Sequence, residues 1–196
     1  LVVPASSPYK TMAELIAAEK ANPGKLTFAS AGTGTSDHLS AELFWLQSGT
    51  SGLHVPYKGA APAITDLLGG QVDAAFQNIN NVLPHITAGK LRVLAIAAPK
   101  RSPLLPNVPT LTESGVKDAD ATSWQGVVAP KGLPPAVKAQ IHAALMDALA
   151  DPAVKQKFAE VGFEMVANTP EQFATYQASE AARWKKLIET RKIAVD

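Results

Sequence analysis

The sequence predicts an α/β fold with a mostly parallel sheet covered by helices. Apolar runs of strand length alternate with helical patterns along the chain, an order that places helices on both faces of a parallel sheet. The 196 residues are 46% hydrophobic, enough for the core of one or two domains. Several strand-to-helix connections carry glycine and polar residues, and ligands of such sheets bind beyond the carboxyl ends of the strands.

The first half of the chain contains five apolar runs that we expect to be strands. They are Leu1–Val3, Leu26–Ser30, His54–Tyr57, Val72–Phe76 and Leu91–Ala97. Between them, helix signals recur. Thr11 and Glu14 form a capping box at the start of the first helix, and Ser36 or Asp37 opens the second. That helix carries three leucines on one face, Leu39, Leu43 and Leu46. Two further helices are predicted at Pro62–Leu68 and Val82–Ala88.

The second half is mainly helical. A proline-rich polar stretch with a short helical piece near Thr110–Ser114 precedes a predicted strand at Gly126–Ala129. Pro134–Ala150 has apolar residues at i+4 spacing and predicts an amphipathic helix. Asp151-Pro152 and Thr169-Pro170 predict the N-termini of two more helices.

Composition excludes several classes of function. The chain has no cysteine, so disulfides, thiolate zinc sites and cysteine nucleophiles are excluded. The formal net charge is +1, which argues against an extended nucleic-acid-binding surface. No apolar run approaches the ~20 residues that span a bilayer.

The connection after the second predicted strand is the first candidate site. Its residues are Ser30, Ala31, Gly32, Thr33, Gly34, Thr35 and Ser36. Glycine allows close backbone approach to a ligand, the free amides of a helix start attract anions, and the hydroxyls add neutral donors. A plain tight turn with a Ser/Thr cap is the alternative. The loop has neither the P-loop lysine nor the dinucleotide-binding glycine pattern.

Three further positions could contribute to the same site. Tyr57, Lys58, Gly59 and Ala60 join another strand to a helix start, although Lys58 alone is better explained as a solvated charge. Gln77 and Asn78 begin a run of amides that suits polar neutral recognition, with an Asx-type cap at Asn80 or Asn81 as the alternative. Trp124 either walls a pocket or packs between lobes.

The signal for catalysis is poor. There is no Gly-x-Ser-x-Gly motif, and the four histidines share no metal-ligand spacing. His38, one turn into the helix after the glycine loop, is the only plausible general base. A partly buried histidine that only supports the helix explains it better.

Several segments, in order and at matching spacing, resemble one known family. They are Ala29–Leu39, His54–Gly59, Asp66–Asp73, Leu83–Ile86, Gly89–Arg92, Lys100–Pro103, Val108–Thr110 and Ser123-Trp124-x-Gly126. Together they resemble the substrate-binding receptors of tripartite tricarboxylate transporters, also called the Bug family. The resemblance runs along the whole chain.

The resemblance implies an extracytoplasmic, periplasmic binding protein of the type II fold, in which two α/β lobes joined by a hinge close on a small carboxylate and no cofactor is used. It implies a complete lobe at residues 1–121, and the return crossover and C-terminal helices of an incomplete second lobe at residues 122–196. It also implies membrane permease components as partners, and ligand contacts from the loops named above and Trp124. His38, one turn into the helix after the glycine loop, could line the same cleft.

Two departures from the family pattern matter. About a hundred residues of the family precede this point, so we expect a fragment whose second lobe needs the N-terminal segment or another chain. Gln77 stands where relatives often have aspartate, which predicts a carboxylate ligand without a free amine. The alternative functions are the effector-sensing domain of a cytoplasmic transcription regulator and an anion-binding α/β enzyme.

Overall fold

The computed structural model describes residues 1–194, and within them it has five strands and seven helices. The strands are β1 (Val2–Pro4), β2 (Thr27–Ser30), β3 (Leu53–Pro56), β4 (Ala74–Ala75) and β5 (Leu91–Val93). The helices are α1 (Met12–Ala21), α2 (Ser36–Ser48), α3 (Ala60–Leu68), α4 (Ile79–Thr87), α5 (Pro135–Ala150), α6 (Pro152–Glu160) and α7 (Pro170–Arg191).

The five strands form one sheet in the order β3-β2-β4-β1-β5. β2 runs parallel to β3 and β4, while β1 is antiparallel to both β4 and β5. The predicted, mostly parallel sheet is therefore confirmed. Ser30 pairs with Pro56, and Ala29 pairs with Ala75. These registers bring the carboxyl ends of β2, β3 and β4 to the same edge of the sheet.

Both faces of the sheet are buried, as expected when helices cover each side. Neighbouring residues of a strand point to opposite faces, so Phe28 and Ala29 enter different clusters. One cluster includes Phe28, Phe44, Trp45, Met12 and Leu15, which join β2 to α1 and α2. The other includes Ala29, Ala63, Ile64, Leu67 and Val82, which join it to α3 and α4.

The sequence signals for helix ends are largely confirmed. Thr11 and Glu14 form the capping box of α1, and the Asp151 side chain accepts hydrogen bonds from the amides of Ala153 and Val154. Thr169 and Gln172 exchange reciprocal bonds at the start of α7, at 3.2 and 2.9 Å. α3 and α4 start earlier than predicted. None of the helices in residues 1–194 is long and apolar enough to cross a membrane.

The chain divides into two compact units. One contains Leu1–Ser123 together with the residues from Lys186 onward, and the other is Trp124–Lys185. The sheet belongs to the first unit. The second unit is made of α5, α6 and most of α7, and neither α5 nor α6 has a buried residue.

The prediction of a strand at Gly126–Ala129 is wrong. The segment has no regular structure, and Val127 and Val128 are 67% and 77% exposed. Its apolar residues match a strand, but a strand needs a neighbour to satisfy its amides and carbonyls, and this segment has none within residues 1–194. Leu46, predicted on the core face of α2, is exposed because Ala41, Phe44 and Trp45 form that face.

Candidate functional site

The loops that follow β2 and β3 are hydrogen-bonded to each other. The Tyr57 amide donates to the Ser30 carbonyl, and the Gly59 amide donates to the Ala31 carbonyl, both at 3.0 Å. Gly32 has a φ of +142°, and a Cβ on it would lie 3.4 Å from the Tyr57 carbonyl oxygen. Glycine is therefore favoured at position 32 by its backbone conformation, since an added Cβ would make no more than ordinary van der Waals contact there.

Most amides of the first loop already have partners inside the loop. Ala31 donates to Asp37, Gly32 to the Ser30 hydroxyl and Gly34 to His38, at 3.1–3.2 Å. The Thr35 amide donates to the Gly32 carbonyl at 3.2 Å. These bonds fix the loop's shape and leave only part of it to meet a ligand.

The amides of Thr33 and Ser36 have no partner within residues 1–194, and both residues are exposed. The hydroxyl groups of this loop also divide into bonded and open ones. Thr35 Oγ1 donates to the Gly32 carbonyl at 2.7 Å, and Ser30 Oγ lies 2.6 Å from His54 Nε2. The Thr33 hydroxyl makes no such bond to any residue that the structure describes. Thr33 and Ser36 therefore present the donors of this loop to solvent.

The second loop leads into α3 with exposed polar groups. Gly59, the N-cap residue, has a φ of +114° and cannot cap the helix with a side chain, so the first amides of α3 stay open to an acceptor. Lys58 is exposed. The Tyr57 hydroxyl donates to Asp66 at 2.7 Å, and this bond raises the pKa of Tyr57.

The third loop follows β4 and joins the same edge of the sheet. Asn78 is the N-cap residue of α4, yet its side chain does not cap the helix and instead accepts a bond from Ser123 at 2.8 Å. The expectation of a cap at Asn80 or Asn81 is wrong, because α4 begins at Ile79 and includes both. Gln77 Nε2 donates to Asp37 at 2.9 Å.

His38 lies behind the first loop. It is only 4% exposed, and its ring stacks on that of His54 with centroids 3.6 Å apart and planes at 10°. Nδ1 accepts from the Gly34 amide, and Nε2 lies 3.4 Å from Glu42 Oε1. With both nitrogens facing protein partners, His38 is poorly placed to act as a general base.

Trp124 belongs to the other compact unit. It is 41% exposed, and its ring packs edge-on against Phe173 and Tyr176 at 5.4 and 5.9 Å. Phe173 also approaches Gly126 so closely that no Cβ fits there. Trp124 therefore anchors the irregular segment on α7.

Sequence reasoning missed the residues that support the first loop. Asp37 and Glu42 belong to α2, His54 to β3 and Arg191 to α7, and only the fold brings them together. The sequence signal that could have found Asp37 and Glu42 is the pair of carboxylates that follow Ser36 by one and six residues on α2. Within residues 1–194, no group of three histidine or acidic side chains could hold a metal ion.

Comparison with known proteins identifies relatives along nearly the whole chain. The family model for the tripartite tricarboxylate transporter family receptor matches residues 1–193. Protein BugT of Bordetella pertussis is 41% identical over 174 residues, which are 89% of this chain and 53% of BugT. A protein encoded in the gbd 5′ region of Cupriavidus necator is 39% identical over 194 residues, 99% of this chain and 59% of that protein.

Solved structures share the fold. A protein of R. palustris solved with adipate is 33% identical, with a TM-score of 0.91 over 98% of this chain and 64% of that one. MatC from Rhodopseudomonas palustris, with bound malate, is 29% identical with a TM-score of 0.81, over 95% of this chain and 65% of MatC. The periplasmic binding protein BugD is 33% identical with a TM-score of 0.85, over 98% of this chain and 65% of BugD. The chain thus spans a little over half of the curated relatives and just under two thirds of the solved ones.

Proposed function

The chain belongs to the tripartite tricarboxylate transporter family receptors, and we propose that it is the part of a periplasmic solute-binding protein that holds a small carboxylate for delivery to a membrane permease. The observation that carries this proposal is the direct hydrogen bonding between the loops after β2 and β3. It gathers two helix N-termini, those of α2 and α3, at one edge of the sheet.

The open donors match the chemistry of a carboxylate. Amides at helix N-termini carry partial positive charge, and an anion placed there is stabilised without a formal counter-charge. The amides of Thr33, Ser36 and the first turn of α3, with the Thr33 hydroxyl, are the contacts we propose. Ser30, Ala31, Gly32, Gly34 and Thr35 then shape the loop around the ligand.

The adipate and malate bound by two structural relatives support a dicarboxylate as the ligand class. Gln77 offers a ligand no negative charge, because its side chain is a neutral amide, and the nitrogen of that amide already donates to Asp37. We therefore propose a carboxylate without a free amine, with Tyr57, Lys58, Asn78 and Trp124 as further ligand contacts.

The same proposal divides the chain into two lobes. Residues 1–121 would form one ligand-binding lobe, and residues 122–196 would belong to a second lobe completed by a further segment or another chain, although the end of α7, from Lys186, lies in the first compact unit. The apolar residues exposed in the second unit support this, since such surface is normally covered. Binding would shift an open–closed equilibrium of the lobes that the permease reads.

A binding role is supported over catalysis. The family is one of transport receptors, and the histidine that could have served as a base has both nitrogens engaged. No feature of the described residues favours the transcription-regulator alternative.

Calorimetry against adipate, malate and citrate tests the proposal. It is done with the second lobe completed by the further segment or chain, since the incomplete lobe should bind weakly or not at all. We expect heat and a raised melting temperature with at least one dicarboxylate, because a ligand at about 100 times its Kd stabilises the folded state by roughly 2.7 kcal/mol. Dimethyl adipate, which has the same length without the charge, should give neither. Equal responses to the acid and its ester would contradict the carboxylate site.

The variant Thr33→Val tests the loop itself. Removing the hydroxyl should weaken adipate binding about ten- to a hundredfold, because one hydrogen bond to a charged group is worth about 1.5–3 kcal/mol. Thr112→Val, at an exposed position outside the three loops, is the matched control and should bind like the unaltered chain. Equal binding by both variants would remove Thr33 from the site.

A further inference from the structure

The stacked histidines are part of a chain of contacts that ends in the ligand loop. From the loop inwards, the Gly34 amide donates to His38 Nδ1 at 3.1 Å, and His38 Nε2 faces Glu42 Oε1 at 3.4 Å. Glu42 Oε2 then pairs with Arg191 Nε at 2.6 Å. The contacts thus join the glycine loop to the last residue of α7, and both belong to the same compact unit.

The protonation state of His38 follows from its partners. An amide N–H can only donate, so Nδ1 must be the unprotonated nitrogen and the ring proton is on Nε2, facing a carboxylate. A second proton on His38 would occupy Nδ1 and remove the acceptor of the Gly34 amide. The loop geometry seen here therefore requires a neutral His38.

His54 stacks on the ring of His38. Its ring lies 3.6 Å from that of His38, so charging both rings would place two cations face to face. Burial, followed by the charge of His38, lowers the pKa of His54 to about 4, although Glu42 opposes the shift. His54 Nε2 meets Ser30 Oγ, so the second ring also contacts the ligand loop.

The groups around the stacked rings of His38 and His54 come from four elements. Glu42 lies on α2, Arg191 on α7 and the Ser30 hydroxyl on β2, while His54 itself is on β3. Burial alone would raise the pKa of Glu42, but hydrogen bonds from His38 and Arg191 lower it. Glu42 thus stays ionised and keeps the Nε2 proton of His38 in place.

We propose that His38, held by Glu42 and Arg191 and stacked on His54, is a positioning residue that fixes the glycine loop for carboxylate binding. The effect on binding rests on the proposed function, but the effect on the loop does not. The Gly34 amide is the reporter, because it donates to His38 Nδ1.

Two substitutions of similar size separate the contacts of His38. In His38→Asn the side-chain oxygen sits near the position of Nδ1 and can still accept from Gly34, whereas in His38→Gln the polar group reaches only the Nε2 position. Neither variant titrates. Hydrogen exchange of the Gly34 amide, with the Phe28 amide of β2 as a check on folding, is measured by NMR without ligand.

We expect the Gly34 protection factor of His38→Asn to match that of the unaltered chain. His38→Gln should show protection about five- to tenfold lower at pH 7.5, the loss of about one hydrogen bond. Equal protection in the two variants would overturn the proposal.

Adipate calorimetry at pH 7.5, on the variants with the second lobe complete, gives the second readout. Weaker adipate binding by His38→Gln than by His38→Asn supports the proposal, and equal affinities contradict it. Absence of adipate heat from all samples, with the exchange pattern as expected, would instead reject the carboxylate function and support the positioning role of His38.

Discussion

At the residue scale, Asp37 shows how the candidate site combines buried charge with an uncharged surface. The residue is 6% exposed, and burial raises the pKa of its carboxyl group, while hydrogen bonds from Ala31, Ser36 and Gln77 oppose the shift. Gln77 Oε1 is buried without a hydrogen-bond partner within residues 1–194. The side-chain amide of Gln77 thus hydrogen-bonds to the buried carboxyl group of Asp37. An aspartate at position 77 would instead set two carboxylates side by side.

Glu19 allows a direct test of a buried carboxylate. It is 0% exposed, accepts a bond from Trp45 Nε1 at 2.8 Å, and burial raises its pKa above the ordinary 4.5. Because the folded state favours the protonated acid, Glu19 lowers stability progressively as the pH rises above 4.5. Glu19→Gln, which keeps an oxygen for Trp45, should be more stable than the unaltered chain at pH 7 and no more stable at pH 4.5.

Urea denaturation at the two pH values measures the effect of Glu19→Gln. The control is Glu160→Gln, at an exposed position on α6, which should change stability little at either pH. A pH-independent difference for Glu19→Gln would show that its titration does not contribute.

At the scale of elements, α2 connects the core with the candidate site. Its inner face carries Phe44 and Trp45, which pack on Phe28 of β2 at 6.3 and 5.1 Å between ring centroids. Its first turn opens from the glycine loop, and Gly49, with a φ of +65°, ends it. The packing of α2 on β2 therefore sets where the open amides of the loop point.

Gly52, just before β3, tests how tightly α2 is packed. A Cβ at this position would lie 2.5–2.9 Å from three atoms of the Trp45 indole ring. Gly52→Ala should lower the free energy of unfolding by about 1–3 kcal/mol, the usual result of overpacking a core. Denaturant titration measures it.

Gly69→Ala is the matched control, since the nearest atoms to its added Cβ would be 3.5 Å away and its φ is −79°. It should be neutral or stabilise the fold by up to about 1 kcal/mol. Equal effects of the two alanines would show that the indole ring can move aside.

At the scale of the whole molecule, the two compact units differ in how they bury apolar residues. The first unit encloses two clusters around its sheet, whereas the helices α5 and α6 of the second contain no buried residue. Ile141, Phe158 and Val161 are 37–44% exposed. The i+4 pattern of α5 thus formed the predicted helix but not a packed face.

The exposed valines of the second unit should make the chain associate. Val127→Ser combined with Val128→Ser is expected to reduce binding of a hydrophobic dye and the increase of apparent mass with concentration, because exposed apolar patches drive contacts. Sedimentation and dye fluorescence measure this, with Ala129→Ser, also exposed, as the control. Unchanged association in the double variant would show that a different surface drives the association.

Local sequence signals determined the α/β class, the order of the elements and most helix ends, because capping residues, glycine stops and hydrophobic periodicity act through neighbours in the chain. The Thr11 capping box and the β2–α2 glycine loop are examples. The same signals failed at Gly126–Ala129, since a strand also depends on a partner strand that the local sequence does not specify.

Tertiary structure alone decided which groups of the candidate site are free. The sequence marked Ser30–Ser36 as donors, but the fold commits four of the loop's amides to internal bonds and leaves those of Thr33 and Ser36 open. It also placed His54, Glu42 and Arg191 behind the loop from three separate elements. The physical reason is that hydrogen bonds and charge pairs depend on distance in space, which only the packing of the sheet and helices sets.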